Sequence, residues 1–343
     1  MTTETDKTPL LGMTLAQLKD VAVECGLKPF AGKQMADWLY HKRATSIDEM
    51  TNLSIAGRHR LGERYRIGRE QPLTSVKSAD GTVKYLFAGV GGRDIESVYI
   101  PDRGRATLCV SSQAGCKMGC RFCMTGRGGW QGNLTANAIL NQIMMVDGSD
   151  ELTNLVFMGM GEPLDNLDAV IQVIDVLTSD WGFGWSPKRI TVSTIGKLDN
   201  LRLLLERTSV HVAISVHSPF SSEREALMPV EAAYPIANVV ALLRKYDWTH
   251  QRRISAEYIM WKGLNDDMRH ADALAHLLRN MHCRVNLIRF HAFPESKLRP
   301  ADKAQMEQFR DRLNERGITA SIRASRGEDI LAACGMLAGK KSE

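Results

Sequence analysis

The chain is predicted to be an α/β protein: a partial, TIM-like (βα)6 barrel behind a small helical N-terminal domain and a short β extension. Three observations predict it. Strand-like and helix-like stretches alternate about six times after Thr107, the pattern of parallel strands covered by helices. The chain before Tyr65 carries helical patterns alone. Three cysteines, Cys116, Cys120 and Cys123, follow the first strand of the alternating part, at the strand end where barrels gather function.

In order, Thr14 to Cys25 has apolar residues at helical spacing, with Thr14 and Gln17 placed as a capping box and Gly26 as the stop. Gly32 to Tyr40 reads as a second helix, Asp48 to Ser54 as a short helix or turn, and Ile55 to Tyr65 as the last helix of this domain. Thr82–Phe87 and Asp94–Ile100, separated by Gly89, Gly91 and Gly92, read as a hairpin. Barrel strands are expected at Thr107–Ser111, Asn154–Met158, Arg189–Ser193, Val210–Val216, Ser255–Trp261, Arg284–Arg289 and Thr319–Ile322. Helices are expected at Thr135–Val146, Leu167–Thr178, Leu198–Glu206, Ile236–Tyr246, Ala271–Met281 and Lys303–Arg316. The implied regions are 1–75 (helical, with no chemistry of its own and so an accessory binding domain), 76–104 (β-hairpin extension or linker), 105–325 (barrel) and 326–343, a C-terminal segment carrying Cys334.

With 343 residues the chain accommodates one large domain and a smaller one. Its 44% hydrophobic and 24% charged residues are those of an ordinary soluble globular protein. No apolar run reaches membrane-spanning length, and the polar start Met1–Lys7 lacks a signal peptide's apolar stretch, so a cytoplasmic, non-membrane protein is expected. Seven cysteines, an odd number, argue for metal or redox work rather than a secreted disulfide framework. The net charge of +5 permits an anionic partner. Arg58, His59, Arg60, Arg64, Arg66 and Arg69 stand against Glu63, a run that is either a phosphate-contacting face or a solvated helix.

The C-x-x-x-C-x-x-C spacing of Cys116, Cys120 and Cys123 lets one loop supply three thiolates to three corners of an iron–sulfur cube, leaving the fourth iron open. A structural zinc site needs a fourth ligand, and no further Cys or His lies within the loop. An open iron can take the amino and carboxylate groups of S-adenosylmethionine (SAM). The alternatives are a zinc knuckle with a distant fourth ligand, or three buried thiols. Gly159-Met-Gly161-Glu162-Pro163, after a strand, offers close backbone approach and a carboxylate for an amino group. Ser193 and Ser215-Val216-His217 end the next two strands, placed either to hydrogen-bond ribose and carboxylate oxygens or to form turns. By spacing alone, Cys109 is a buried thiol in an apolar strand, Cys334 lies in a small-residue segment able to bend over a barrel mouth, and Glu96 is a strand carboxylate. Cys25 and Cys283 have no motif around them.

Together, Thr107–Cys116, the cysteine triplet, Gly159–Pro163, Ser193-Thr-Ile-Gly196, Ser215–His217 and Arg326–Gly335 give nearly the whole chain a sequence that resembles the RlmN/Cfr family of radical SAM RNA methyltransferases. The resemblance implies a radical SAM barrel holding a [4Fe-4S] cluster on Cys116, Cys120 and Cys123. It implies SAM contacts from Gly161, Glu162, Ser193, Ser215, Val216 and His217, and two molecules of SAM per turnover. By the same resemblance, Cys334 accepts a methyl group from the first. A radical derived from the second activates that methyl group for addition to carbon 2 of an adenosine, Glu96 removes the proton there, and Cys109 releases the RNA by forming a disulfide with Cys334. The implied substrates are 23S ribosomal RNA, in its peptidyl-transferase region, and an adenosine beside the tRNA anticodon. An electron donor such as flavodoxin or ferredoxin and a monomeric state complete the expectation. Where the family has Asn before its Pro-Phe-Pro, this chain has His291-Ala-Phe-Pro294, which places His291 at the SAM-contacting position. The glycine-rich loop Met124–Asn133 has no assigned partner. Rival readings are carbon 8 methylation of the Cfr type, a radical SAM enzyme acting on a protein or small molecule, and a zinc-stabilised RNA-binding protein.

Overall fold

Residues 7–249, 253–293 and 296–339 are described by the structure, a computed structural model. Met1–Asp6, at the polar start, Pro294 of the His291 motif and the last four residues of the C-terminal segment lie outside them.

The helical start forms as its caps dictate. Helix α1 (Leu15–Glu24) opens on a reciprocal capping box: Thr14 Oγ1 accepts the Gln17 N–H at 3.3 Å and Gln17 Oε1 accepts the Thr14 N–H at 2.8 Å. Gly26, at φ +65°, stops it. Helix α2 (Ala31–Ala36) runs into a π-helical turn, Asp37–His41, rather than continuing as one α-helix. That turn presents Tyr40 to Trp181 and Phe183 of the barrel, each 5.9 Å away between ring centroids. Helix α3 (Ile55–Arg64) follows, capped by Ser54.

Members of the basic run around α3 have partners inside the chain. Arg60 Nε donates to the Cys25 carbonyl at 2.6 Å and closes the end of α1, Arg69 donates to the Arg43 carbonyl, and Arg58 to that of Asp48. Arg64 pairs with Glu24 at 3.5 Å and Arg66 with Glu70 at 2.8 Å. Sequence shows charge but not which carbonyls a guanidinium will meet. Substituting Arg60 by Ala is therefore expected to cost about 1–3 kcal/mol in denaturant unfolding, because a part-buried carbonyl loses a charged donor. An unchanged midpoint would make Arg60 a solvated residue after all.

Ten strands make one sheet, and their order in it is their order in the chain. They are β1 (Thr74–Lys77), β2 (Val83–Val90), β3 (Arg93–Asp102), β4 (Arg105–Cys109), β5 (Asn154–Phe157), β6 (Ile190–Thr194), β7 (His211–Ser215), β8 (Ile254–Met260), β9 (Cys283–Arg289) and β10 (Thr319–Ile322). Pairing is antiparallel from β1 to β4 and parallel from β4 to β10. The seven parallel strands form the partial barrel, open because β1 and β10 are the sheet's two edges. The 76–104 stretch is thus no linker, since it extends the barrel sheet itself. Its β2–β3 turn uses Gly91 and Gly92 at φ +63° and +73°, as a tight hairpin requires. The short pair Gln113–Gly115 with Trp130–Asn133 was not foreseen, being glycine-rich and irregular in register.

Helices α4 (Ala136–Met144), α5 (Leu167–Thr178), α6 (Leu198–Arg207), α7 (Ser221–Leu227), α8 (Ile236–Leu243), α9 (Met268–Leu278) and α10 (Lys303–Glu315) connect the parallel strands. Residues such as Leu108, Leu155, Val192, Ile214 and Tyr258 form the core on the helix-facing side. Because side chains alternate along a strand, the other face belongs to the barrel lumen. Register puts Cys109 beside Val156, Val156 beside Thr191, Ser215 beside Glu257, and Glu257 beside Asn286 on that face. Among the described residues, no helix is long and apolar enough to cross a membrane.

Candidate active site

The cysteine loop leaves β4 and is pinned before its ligands begin. Gly115 sits at φ +79°, where a Cβ would lie 1.9 Å from the Gly129 carbonyl oxygen, so only glycine allows the two arms of the loop to cross there. The Cys116 N–H donates to that same oxygen at 3.0 Å. The Cys116, Cys120 and Cys123 thiols lie within electrostatic reach of one another, and the Met118 N–H is directed at the Cys116 sulfur. Burial pushes the Cys116 thiol up to about 12 and raises that of Cys120 as well, so both are protonated until a cation displaces the proton. Among the described residues no three Cys, His, Asp or Glu side chains converge on one common ion. A cube instead needs thiolates at three separate corners. Three thiols on one loop, one of them with a backbone donor, are the donor set it requires.

Three distant segments meet the cysteine loop. Cys109, at the end of β4, faces the lumen, and burial, with Cys334 opposite, pushes its thiol up to about 12. Cys334 is accessible as a residue, yet its thiol sits in a recess where burial raises it, with Glu257 and Cys123 adding to the effect and Arg323 offsetting part of it. The C-terminal segment is bonded to the loop directly. Met124 N–H donates to the Gly335 carbonyl at 2.8 Å, and the Thr125 hydroxyl donates to that of Leu337 at 2.5 Å. Residues that are 225 positions apart, Cys109 and Cys334, are thereby brought to one mouth.

Glu96, on β3, is 7% exposed. Its Oε1 pairs with Lys84 at 2.9 Å, and its Oε2 accepts the N–H groups of Ala338 at 2.9 Å and Gly339 at 3.0 Å. The carboxylate expected to take a proton is thus engaged by the C-terminal segment.

The strand ends carry the residues expected to meet SAM. Gly161, at φ +97°, has no room for a Cβ, which would lie 2.5 Å from the Gln113 side chain. Glu162 is buried. Its Oε1 accepts from the Thr194 hydroxyl at 2.6 Å and the Leu164 N–H at 3.1 Å, and its Oε2 accepts the Ile195 N–H at 3.0 Å. Burial raises it to about 7 although these donors pull the other way. Its carboxylate therefore knits the turn to β6, which leaves the turn's backbone as the part presented to a ligand. Ser193 and Ser215 lie on the lumen face of β6 and β7. Val216 is fully buried and contributes backbone only, its N–H donating to the Glu257 carbonyl at 3.0 Å. His217, at φ +58°, is buried against Phe122 at 5.0 Å, and its Nδ1 accepts the Ile259 N–H at 3.1 Å. Burial and Arg224 push it down to about 3, so it is a neutral ring with its proton on Nε2.

His291 departs from expectation. Its Nε2 meets Ser325 Oγ at 3.1 Å and its Nδ1 meets Glu328 at 3.3 Å, so both ring nitrogens tie the end of β9 to the C-terminal segment. That leaves the imidazole no nitrogen for SAM in this arrangement, because an imidazole has only two.

Sequence reading missed Glu257, Arg224 and Asn265. Glu257 is buried in the lumen, where Ser255 Oγ at 2.7 Å and Asn286 Nδ2 at 2.8 Å both donate to its Oε1, and burial raises its pKa. A charged residue in the lumen phase of the apolar run Ile254–Met260 was the available signal. Asn265 holds the His217 and Ile259 carbonyls at 2.7 and 2.8 Å, tying the segment after β7 to the end of β8, a contact that no local pattern announces.

A partial parallel barrel with a three-cysteine loop after its first parallel strand is the architecture of a radical SAM enzyme, and residues 110–275 match the radical SAM superfamily model. That superfamily implies a [4Fe-4S] cluster and SAM. Residues 8–67 match a second model, the ribosomal RNA large subunit methyltransferase N-terminal domain. The chain is 57% identical over 337 residues to a probable dual-specificity RNA methyltransferase RlmN of Parabacteroides distasonis, covering 98% of both chains. It is 58% identical to the Porphyromonas gingivalis protein of the same name, covering 99% of this chain and 97% of that one. A crystal structure of a radical SAM methyltransferase from Sphaerobacter thermophilus superposes with a TM-score of 0.89 at 37% identity, covering 96% of this chain and 99% of that one. The chain belongs to the RlmN family.

Proposed function

We propose that this chain methylates carbon 2 of an adenosine in 23S ribosomal RNA, and of an adenosine next to the tRNA anticodon, with Cys334 as the methyl carrier. The observation that carries this reading is the meeting of Cys334 with Cys109 and the cysteine loop at one barrel mouth. Cys116, Cys120 and Cys123 would hold the [4Fe-4S] cluster, and the Gly159–Gly161 backbone with Ser193 and Ser215 would hold SAM. When bound, cluster and SAM supply the methyl group and hydrogen-atom abstraction, two molecules of SAM being consumed per methyl delivered. A flavodoxin or ferredoxin supplies the electron.

The chain's own residues do the rest. Cys334 sulfur accepts the methyl group after losing its proton, a loss that its raised pKa makes the demanding part of loading. Once RNA is joined to that carbon, the Cys109 thiolate attacks the Cys334 sulfur. The sulfur–carbon bond breaks with its electron pair on carbon, which takes a proton and becomes the methyl group. The two thiols are oxidised to a disulfide, and a reductant restores them. Glu96 removes the adenine proton. The helical N-terminal region positions RNA, a reading supported by the family model it matches.

The test is anaerobic incubation of the reconstituted, reduced enzyme with SAM and RNA containing the ribosomal target, followed by nucleoside mass spectrometry. The expected product is 2-methyladenosine. Finding 8-methyladenosine would keep the carrier mechanism and move the site of attack. SAM cleavage without any methylated adenosine would end the reading. Cys334→Ala is expected to abolish methylation while leaving the cluster's absorption unchanged, and retained methylation would remove Cys334 from the role.

A further inference from the structure

The β extension grips the Cys334 segment on both sides of the cysteine. Upstream, Asp80 accepts the Gly327 N–H at 2.9 Å, and Asp329 accepts from the Ser78 hydroxyl at 2.6 Å and the Ala79 N–H at 3.2 Å. Lys84 donates to the Leu331 carbonyl at 3.3 Å. Downstream, the Glu96 Oε2 takes the N–H groups of Ala338 and Gly339, and Arg93 reaches the Ala338 carbonyl at 3.4 Å. Gly339 is seated without clearance: at φ +64°, a Cβ there would lie 2.2 Å from the Asp94 carbonyl oxygen.

Between these anchors Cys334 sits on a short bridge, entered through Leu331 at φ +53° and left through Gly335 at φ +82°. A non-glycine residue at positive φ persists only where its surroundings hold it. The two anchors are joined by one ion pair. Lys84 holds Leu331 before the cysteine and bonds Glu96 Oε1, while Glu96 Oε2 holds Ala338 and Gly339 after it. The side chains are 16% and 10% exposed, so these charge-assisted bonds are little screened by water.

We propose that the Lys84–Glu96 pair is the latch that seats Cys334 over the barrel mouth. This is a positioning role, separate from proton removal, and it rests on the reading of Cys334 as methyl carrier. While the segment is docked, both oxygens of Glu96 are engaged. The carboxylate becomes available to take a proton only when the downstream end of the segment lifts, so seating the cysteine and freeing the base are alternating states of one residue.

The test uses anaerobically purified, cluster-loaded protein and two readouts that do not depend on turnover. One is amide hydrogen exchange across residues 332–339. The other is the rate at which Cys109 and Cys334 form a disulfide with glutathione disulfide, which is reduced to two thiols as theirs are oxidised. Glu96→Ala is expected to slow disulfide formation and to speed exchange at 336–339, each by about tenfold, the effect of one charged hydrogen-bonding group. Glu96→Gln keeps a carbonyl oxygen for the two N–H groups but turns its NH2 toward Lys84 and loses the ion pair, so both readouts are expected to fall between those of Glu96→Ala and the unmodified protein. Gly339→Ala attacks the same seat from the other side, near the chain's end, and is expected to match Glu96→Ala. Unmodified rates in both Glu96→Ala and Gly339→Ala would overturn the latch. Loss of the methyl-carrier reading would show separately, as Cys334→Ala protein that still methylates RNA while the latch readouts behave as expected.

Discussion

Cys109→Ala is expected to halt the enzyme with RNA covalently attached to Cys334. Cys334 lies close enough to the Cys109 thiol in the lumen to add to the raised pKa of that thiol. Without it nothing attacks the Cys334 sulfur, so the carbon–sulfur bond to RNA persists. Steady-state methylation should fall by roughly 10^3 or more, as when one member of a nucleophilic unit is removed, after a single event per chain. A denaturing gel should show a slow band that nuclease collapses to the size of the protein, and the Cys109→Ala/Cys334→Ala double variant should lack it. Absence of that band in the single variant, with SAM still consumed, would take the resolving role from Cys109. The high pKa of the buried thiol adds a dependence on pH. The reactive thiolate is a small fraction at neutral pH, and its share rises with pH toward about 12. Release by the unmodified enzyme should therefore accelerate as pH is raised over the range the fold tolerates.

The parts of this molecule visible in the sequence are those with a period or a fixed spacing. Strand alternation pointed to the parallel barrel, Thr14 and Gln17 to the first helix cap, and the spacing of Cys116, Cys120 and Cys123 to a loop that brings three thiols together after the first parallel strand. What was not visible is which groups meet across the fold. Glu96 and Cys334 are 238 positions apart, and no pattern near either states that the carboxylate holds two amides just beyond the cysteine. The Arg58–Arg69 run shows the same limit, because charge density can be counted along a chain but its partners, such as the Cys25 and Arg43 carbonyls, cannot. His291 shows a subtler limit. A substitution at a familiar position suggests a replacement ligand, and its spacing says nothing of Ser325 and Glu328, which the two ring nitrogens meet.

Arg224→Met is expected to cost about 3–5 kcal/mol of stability, the price of stranding a buried partner charge. Arg224 is fully buried on α7 and pairs with Glu231, itself 2% exposed. Its remaining donors serve backbone at the floor of the proposed SAM site. Nη2 reaches the Ser215 carbonyl at 2.8 Å and the Ile195 carbonyl at 3.5 Å, and Nε reaches that of Val216 at 3.0 Å. These carbonyls lie where β6 and β7 end, and one rigid guanidinium meets all three along with Glu231. Lysine cannot reproduce this, since a single ammonium lacks the planar fork, so Arg224→Lys should recover only part of the loss. Adding Glu231→Gln to Arg224→Met should also recover part, by removing the stranded charge while leaving the carbonyls unserved. Denaturant unfolding of the four proteins measures this directly. A loss under about 1 kcal/mol in Arg224→Met would mean that water or a neighbour replaces the guanidinium, and that the strand ends beneath the proposed SAM site are held without it.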